Sequence, residues 1–189
     1  MPRAGLTADK LVAAGAELAD EAGFGQVTVA ALAKRFGVAA ASLYSHVGGT
    51  GDLRTRVALL ALDELADRAA DAVAGRAGRD ALAALADAYR EYAEAHPGRY
   101  AATRHRLDPA TAAASAGPRH AALTRAVLRG YGLAEPETTH AVRFVGATVH
   151  GFLDLSASGS FAHSEPHARA SWTRALDALD AALRAWPTP

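Results

Sequence analysis

Residues 28–46, TVAALAKRFGVAAASLYSH, constrain the fold of this chain more than any other stretch. The pattern predicts two short helices joined by a tight turn. Thr28 is placed to cap the first, its hydroxyl accepting from a backbone N–H that has no partner within the helix. Val29, Leu32 and Ala33 recur on one face. Gly37 stands where the turn needs a permissive backbone. Val38 anchors the second helix, which carries Leu43, Tyr44 and His46. Short helix, Gly-containing turn and short exposed helix make a helix-turn-helix pattern, whose second helix enters the DNA major groove. Two ordinary core helices around a glycine are the competing reading, and they leave the agreement of cap, turn residue and apolar spacing unexplained.

The chain of 189 residues has room for one mid-sized domain, or for a small head joined to a larger body. It contains no cysteine, which excludes disulfide scaffolds, thiolate metal sites and cysteine nucleophiles and suits a reducing cytoplasm. No apolar run approaches the roughly 18–20 residues that span a bilayer, and the first ten residues lack an apolar signal-peptide core. A soluble cytoplasmic protein with no membrane partner is expected. Formal net charge is zero, so bulk electrostatics announce no nucleic-acid partner. The two lysines, Lys10 and Lys34, fall near the N-terminus with Arg3 and Arg35, and Asp9, Glu17, Asp20 and Glu21 offset them. Since DNA affinity draws on Lys and Arg contacts to phosphate, this neutral balance counts against a strong electrostatic grip.

Alanine is abundant and β-branched runs are rare, so the chain reads as all-α, with about nine helices. The first is expected over residues 7–22, with Leu11, Gly15, Leu18 and Ala22 on one stripe, Thr7 as N-cap and Gly23 as stop. Together with the two motif helices it makes a three-helix head, placed at residues 1–50, ahead of a helical body at 51–189. After Gly48-Gly49-Thr50-Gly51, a long helix begins near Asp52 and carries Leu53, Val57, Leu60 and Leu65. A fifth helix aligns Leu82, Leu85, Tyr89 and Tyr92 and ends at His96-Pro97-Gly98. A short sixth covers 99–107, residues 108–118 read as a flexible loop, and a seventh covers 119–131. Pro136 opens an eighth helix with Val142, Val145, Val149 and Phe152 on one face; residues 156–166 read as loop. The last helix carries Trp172, Leu176, Leu179, Leu183 and Trp186 at steps of four and three.

Small residues accompany the last two stripes: Gly146, Ala147 and Gly151 in the eighth helix, and Ala175, Ala178, Ala182 and Ala185 in the ninth. Small side chains let helix backbones approach, so these helices are expected to pair across a symmetric homodimer interface. The alternative is packing within one protomer. A two-fold dimer is also what a helix-turn-helix needs to reach successive major-groove turns about 34 Å apart.

The head resembles the TetR family of transcriptional repressors. The residues that carry the resemblance are Gly23, then Thr28, Leu32, Ala33, Phe36, Gly37 and Val38, then Leu43, Tyr44, His46 and Val47, and Leu53 opening the next helix. The match covers about the first 55 residues. Further on, His96-Pro97 with Tyr100, and residues 147–155 (ATVHGFLDL), resemble a C-terminal ligand domain of the family named for a Trp-His-Gly motif; His150-Gly151 is present and the preceding tryptophan is not. The resemblance implies a homodimeric all-helical repressor. Its heads would bind a palindromic double-stranded operator, and a small-molecule effector held among the middle helices would release it. No cofactor or metal is implied.

Carried over residue by residue, the resemblance places Thr28 on a phosphate and gives Tyr44 and His46 as the phosphate-gripping pair. Ser42 can reach a base edge or a phosphate. Thr50 stands where many relatives have a lysine, inside the Gly-rich turn. The recognition segment reads Ala39, Ala40, Ala41, Ser42, without the Arg, Lys, Asn or Gln that read bases in bidentate fashion. Alanine methyls can pack on thymine methyls, and the remaining specificity would come from DNA shape or from Arg3 on an N-terminal arm.

For the ligand, Tyr89, Tyr92, Phe144, His150 and Phe152 are candidate walls, each also compatible with plain core. His150 is the strongest polar candidate, because an imidazole inside an apolar helix needs a partner. Arg104-His105-Arg106 is the densest cationic cluster of the body, and Arg104 or His105 turned inward would select an anionic ligand; the alternative is a solvated helix end. His163, Glu165 and His167 alternate as metal ligands can, but lie beside Pro166 and are read as no metal site. Gly48 to Gly51 lacks the Gly-Lys-Ser/Thr ending of a nucleotide loop. A helical enzyme is disfavoured by the absence of a nucleophile–base spacing, a zinc-binding HExxH or a dinucleotide glycine motif. A dimeric small-molecule-binding protein with a weakened or vestigial head is the remaining alternative, supported by the alanines of the recognition segment.

Overall fold

The computed structural model describes residues 5–187, and among them the secondary structure is entirely helical. Nine α-helices follow in order among the described residues: α1 (Ala8–Ala22), α2 (Val29–Phe36), α3 (Thr50–Val73), α4 (Gly78–Ala95), α5 (Pro97–Ala102), α6 (Pro109–Ala114), α7 (Gly117–Leu128), α8 (Glu137–Ala157) and α9 (Ala168–Arg184). None of the helices is long and apolar enough, over the described residues, to cross a membrane.

The chain forms two compact units. Among the described residues, the first contains residues 5–65 and 92–117, the second residues 66–91 and 118–187. In the first, the apolar stripes of α1 and α2 meet Leu43, Val47, Leu53 and Val57 in one buried cluster. Local chemistry sets the ends. Thr7 accepts from Lys10 N at 3.3 Å and Thr28 from Ala31 N at 3.0 Å, so both threonines cap as their positions require. Gly37 sits at φ +63, and the Val38 N–H closes back on Ala33 O at 3.0 Å. At Gly98, α1 and α5 come into backbone contact: a Cβ there would stand 1.8 Å from Ala19 O.

In the second unit, α8 packs on α9 through Val145, Val149, Leu153, Trp172, Leu176, Leu179 and Leu183, all buried. The indole and phenol groups at its margins find partners. Trp172 Nε1 donates to Asp87 at 2.8 Å, Trp186 Nε1 to Glu137 at 2.7 Å and Tyr131 Oη to Asp180 at 2.7 Å.

Three details differ from the sequence expectation. Residues 108–118 are not a loop: Asp108 accepts from Ala110 N and Thr111 N at 3.1 Å each, and Pro109 begins α6 at a position where its missing N–H costs nothing. The recognition segment is one 3₁₀ turn, Ala40–Leu43, rather than an α-helix. The eighth helix continues to Ala157.

Candidate DNA-binding head and ligand pocket

The N-terminus of α2 is the best-prepared anion site in the head. Thr28 Oγ accepts from Ala31 N, and Thr50 Oγ accepts from Val29 N at 3.2 Å. Both hydroxyls still have a proton to donate, and the helix dipole adds a favourable field for a phosphate. Thr50 thus has a structural partner besides the role expected of it. It opens α3 behind a turn in which Gly49 takes φ +125 and Asp52 Oδ2 accepts from Gly48 N at 2.8 Å. Arg56 holds the Asp52 carboxyl below its ordinary range by hydrogen bonding to it.

Beyond the turn, Tyr44 is 58% exposed and His46 half-buried. Ala39, Ala41 and Ser42 are exposed and Ala40 is half-buried. Ser42 Oγ donates to Ala39 O at 2.7 Å, so its oxygen remains as an acceptor toward a base donor. Arg3 lies outside the described residues.

The arginines of the head are largely committed internally. Arg35 reaches Glu17 at 2.9 Å and Glu21 at 2.7 Å, and its hydrogen bond lowers the Glu21 carboxyl. Arg54 donates to Val27 O at 2.9 Å and also to Gly25 O; Arg56 pairs with Asp52 at 3.0 Å. Lys34 is exposed near the end of α2 and belongs to none of these pairs. Sequence reading assigned it no role, because nothing in the sequence shows which cations the carboxylates of α1 will capture.

In the second unit, Tyr89, His120 and His150 meet at a cavity of about 200 Å³ lined otherwise by Leu85, Ala86, Ala121, Thr124, Val142, Val145, Gly146 and Val149. Tyr89 Oη lies 2.5 Å from His120 Nδ1, and the His150 ring stands edge-on to Tyr89 with centroids 5.6 Å apart. Burial pushes the Tyr89 hydroxyl well above its ordinary range, so it keeps its proton. A larger groove of about 530 Å³ has exposed Arg68, Asp71, Arg76, Asp80 and Glu91 in its walls. Such walls stay hydrated and cannot strip water from a small ligand, so the apolar cavity is the better site despite its size.

The other expected ligand residues are not among those lining this cavity. Phe144 packs on Trp186 (5.7 Å), and Phe152 lies between Phe161 (5.0 Å) and Trp172 (5.1 Å). Tyr92, Arg104 and His105 belong to the first unit. There Tyr92 is fully buried and donates to Glu64 at 2.8 Å, Arg104 lies 4.6 Å over the Tyr100 ring, and His105 meets Phe24 edge-on at 5.5 Å. His120 and Thr124 were missed in the sequence, since α7 has no strong apolar stripe to show its inward face.

Of the small residues, Ala147, Gly151 and Ala178 are exposed, Ala175 and Ala182 are half-buried, and Gly146 lines the cavity. Phe144 (41%) and Leu155 (47%) are exposed on α8; with Tyr44 they are the large apolar side chains exposed among the described residues. His167 and Glu165 are highly exposed and 3.8 Å apart. Among the described residues, no three His, Cys, Asp or Glu groups converge as a metal site would need.

Comparison with known proteins agrees with this geometry. The family described as bacterial regulatory proteins, tetR family, matches residues 11–56, and the tetracyclin repressor-like C-terminal domain matches residues 82–179. The uncharacterized HTH-type transcriptional regulator YobS of Bacillus subtilis (strain 168) is 34% identical over 164 residues, covering 87% of this chain and 86% of that protein. The uncharacterized HTH-type transcriptional regulator Rv0681 of Mycobacterium tuberculosis is 38% identical over 158 residues, 82% of this chain and 72% of that protein. Among solved structures, a TetR variant from Acinetobacter baumannii AYE in complex with minocycline superposes with a TM-score of 0.71 at 23% identity, covering 98% of this chain and all (100%) of that one.

Proposed function

The chain belongs to the TetR family of transcriptional regulators, with a DNA-binding N-terminal domain and no enzymatic role, and from that premise we propose that it is a ligand-released repressor acting as a homodimer on a palindromic operator in the cytoplasm. The observation that carries the ligand-released part is the apolar cavity at Tyr89, His120 and His150. Its lining is mainly apolar with a few convergent polar groups, the composition small-molecule sites share. The division of labour follows the sequence: residues 1–50 read DNA and residues 51–189 bind ligand and dimerise.

On DNA, Thr28 donates to a phosphate at the α2 N-terminus, and Tyr44 and His46 grip the backbone beside it. Thr50 adds a hydroxyl where a lysine would add a charge. Ala39, Ala40, Ala41 and Ser42 read thymine methyls and groove shape, with Arg3 reaching from the N-terminal arm. The exposed row Phe144, Ala147, Gly151 and Leu155 on α8, with Ala175, Ala178 and Ala182 on α9, meets its counterpart in the dimer. Gly146 serves the pocket wall as well as the close approach.

One observation favours the second reading, a ligand-binding dimer with a vestigial head. The recognition turn carries no bidentate base reader, and Arg35, Arg54 and Arg56 are paired with other groups of the head. Selection of random duplex DNA on the purified protein, at low and at moderate salt, separates the two. Recovery of an inverted repeat supports the repressor; failure at both salts with a folded dimer overturns it.

A further inference from the structure

Arg54 differs from the other arginines of the head in what holds it. Arg35 is paired with the carboxylates of Glu17 and Glu21, and Arg56 with that of Asp52, so their charges are cancelled close by. Arg54 instead donates from Nε to Val27 O at 2.9 Å and from Nη2 to Gly25 O. Both acceptors are neutral carbonyls, and among the described residues no carboxylate pairs with this guanidinium. Pinning a turn requires donors only, so the charge is surplus to that task. It is fixed in place without being neutralised, and the guanidinium has more N–H donors than these bonds use. The place is the entry to α2. Val27 C=O is bonded to the Thr28 nitrogen, so the guanidinium stands one hydrogen bond from the peptide that leads into the cap. One turn earlier on α3, Thr50 Oγ accepts from Val29 N at 3.2 Å, on the other side of Thr28. Thr50 and Arg54, spaced to share one face of α3, thus bracket Thr28 along the chain. Gly25 and Gln26 are exposed, and Thr28 and Arg54 are half-buried, so solvent reaches this corner of the head. A charge here acts on a phosphate at the α2 N-terminus over a separation that moderate salt does not screen out, the screening length being about 10 Å.

We propose that Arg54 is a DNA-phosphate residue of the head, serving the phosphate that Thr28 takes at the start of α2 and supplying the charge that the hydroxyls of Thr28 and Thr50 lack. This rests on the phosphate role given to Thr28 above. It adds a residue that lies outside the helix-turn-helix pattern of residues 28–46 and belongs to α3.

Salt dependence separates a charge that meets phosphate from a side chain that only holds the fold. The probe is a fluorescein-labelled duplex of mixed sequence and about 30 base pairs, titrated with the full chain between about 50 and 200 mM potassium chloride and read by anisotropy. Arg54→Gln binds about tenfold more weakly at the low-salt end. Its plot of log affinity against log salt is shallower by about 0.9 for each head, the change expected when one phosphate contact is lost. Arg54→Lys keeps the charge and the slope of the parent. Arg76→Gln removes the same charge from an exposed position of the second unit and leaves the slope unchanged. Arg54→Met gives a second neutral form with a similar stem, read in the same way if Arg54→Gln does not fold. A neutral Arg54 variant that keeps the slope of the parent overturns the proposal even if its affinity falls, because a purely structural role weakens binding equally at every salt. So does a shallower slope in Arg54→Lys, or an equal change in Arg76→Gln. Those results leave the DNA-binding reading intact, since the parent still binds. A folded parent that binds no duplex at about 50 mM salt overturns that reading and the role of Arg54 with it.

Discussion

Replacing Gly98 by alanine tests the tightest contact in the first unit. The added Cβ would lie 1.8 Å from Ala19 O, 2.0 Å from Ala19 C and 2.6 Å from Asp20 N, all backbone atoms of α1 that cannot rotate away. Restoring contact at 3.4 Å requires α1 and α5 to separate by about 1.6 Å. The same junction is tied by Asp20, whose Oδ1 accepts from Arg99 N at 2.8 Å and whose Oδ2 lies 3.2 Å from His96 Nδ1. Arg99 Nε also stands 3.1 Å from Asp20 Oδ2, with its N–H not aligned on that oxygen, so this contact contributes charge attraction rather than a hydrogen bond. Overpacking costs about 1–3 kcal/mol and a strained charged hydrogen bond about 1.5–3, against a helix-propensity gain of up to about 1. The expected net loss is about 3–4 kcal/mol, or roughly 10 °C in thermal midpoint for a chain of this length. Gly51→Ala is the control: it lies inside α3 with open space around its Cβ, and it should lose nothing and gain up to about 1 kcal/mol. Thermal unfolding followed by circular dichroism reads both. A Gly98→Ala midpoint within about 2 °C of the parent would refute the argument, because it would mean the α1–α5 backbones are free to part.

Other consequences are open to the same kind of test. Thr28→Ala should cost about 1 kcal/mol of stability through the lost cap and also weaken DNA retention; unchanged binding to a selected duplex would remove Thr28 from the phosphate contacts. Phe144→Asp places a charge on the exposed α8 row and should shift the proposed dimer towards monomer in sedimentation, whereas a dimer unaltered by it would put the interface elsewhere. Asp180 is held below its ordinary value of 3.8, first by the Arg184 hydrogen bond and also by Tyr131. Because the folded carboxyl is the stronger acid, its contribution is fully present above that value and is lost as pH falls through the lower folded pKa. The stability gap between the parent and Asp180→Asn should therefore be constant at neutral pH and close in acid; a gap that widens in acid would contradict the assignment.

Much of the head was legible along the chain. The Thr28 cap, the Gly37 turn and the inward faces of α1, α2 and α3 that carry Leu11, Leu32 and Leu53 each depend on a residue and its near neighbours, and these appear in the structure as expected, though Ala22 at the end of the α1 stripe is exposed. Asp108 followed by Pro109 is an equally local signal for α6; the small residues after it, alanines with Thr111 and Ser115 between two prolines, suit a loop as well as a helix and mask that signal. The site was legible only in part. Tyr89 and His150 were named as ligand candidates from their places on apolar helices, and they do share a cavity. Tyr92, three residues after Tyr89, instead falls in the first unit and bonds to Glu64.

What the sequence alone determined is therefore periodic and local: helical character, most helix ends and the recognition of the family, all set by interactions within a turn or two of the chain. Only the tertiary structure decided that Gly98 carries a backbone crossing, that Asp20 takes Arg99, and that His120 comes to Tyr89. These pairs stand 79 and 31 residues apart. Helical spacing tells which face of a helix is apolar, but not which other helix that face will meet, because partner choice depends on packing between segments distant in sequence.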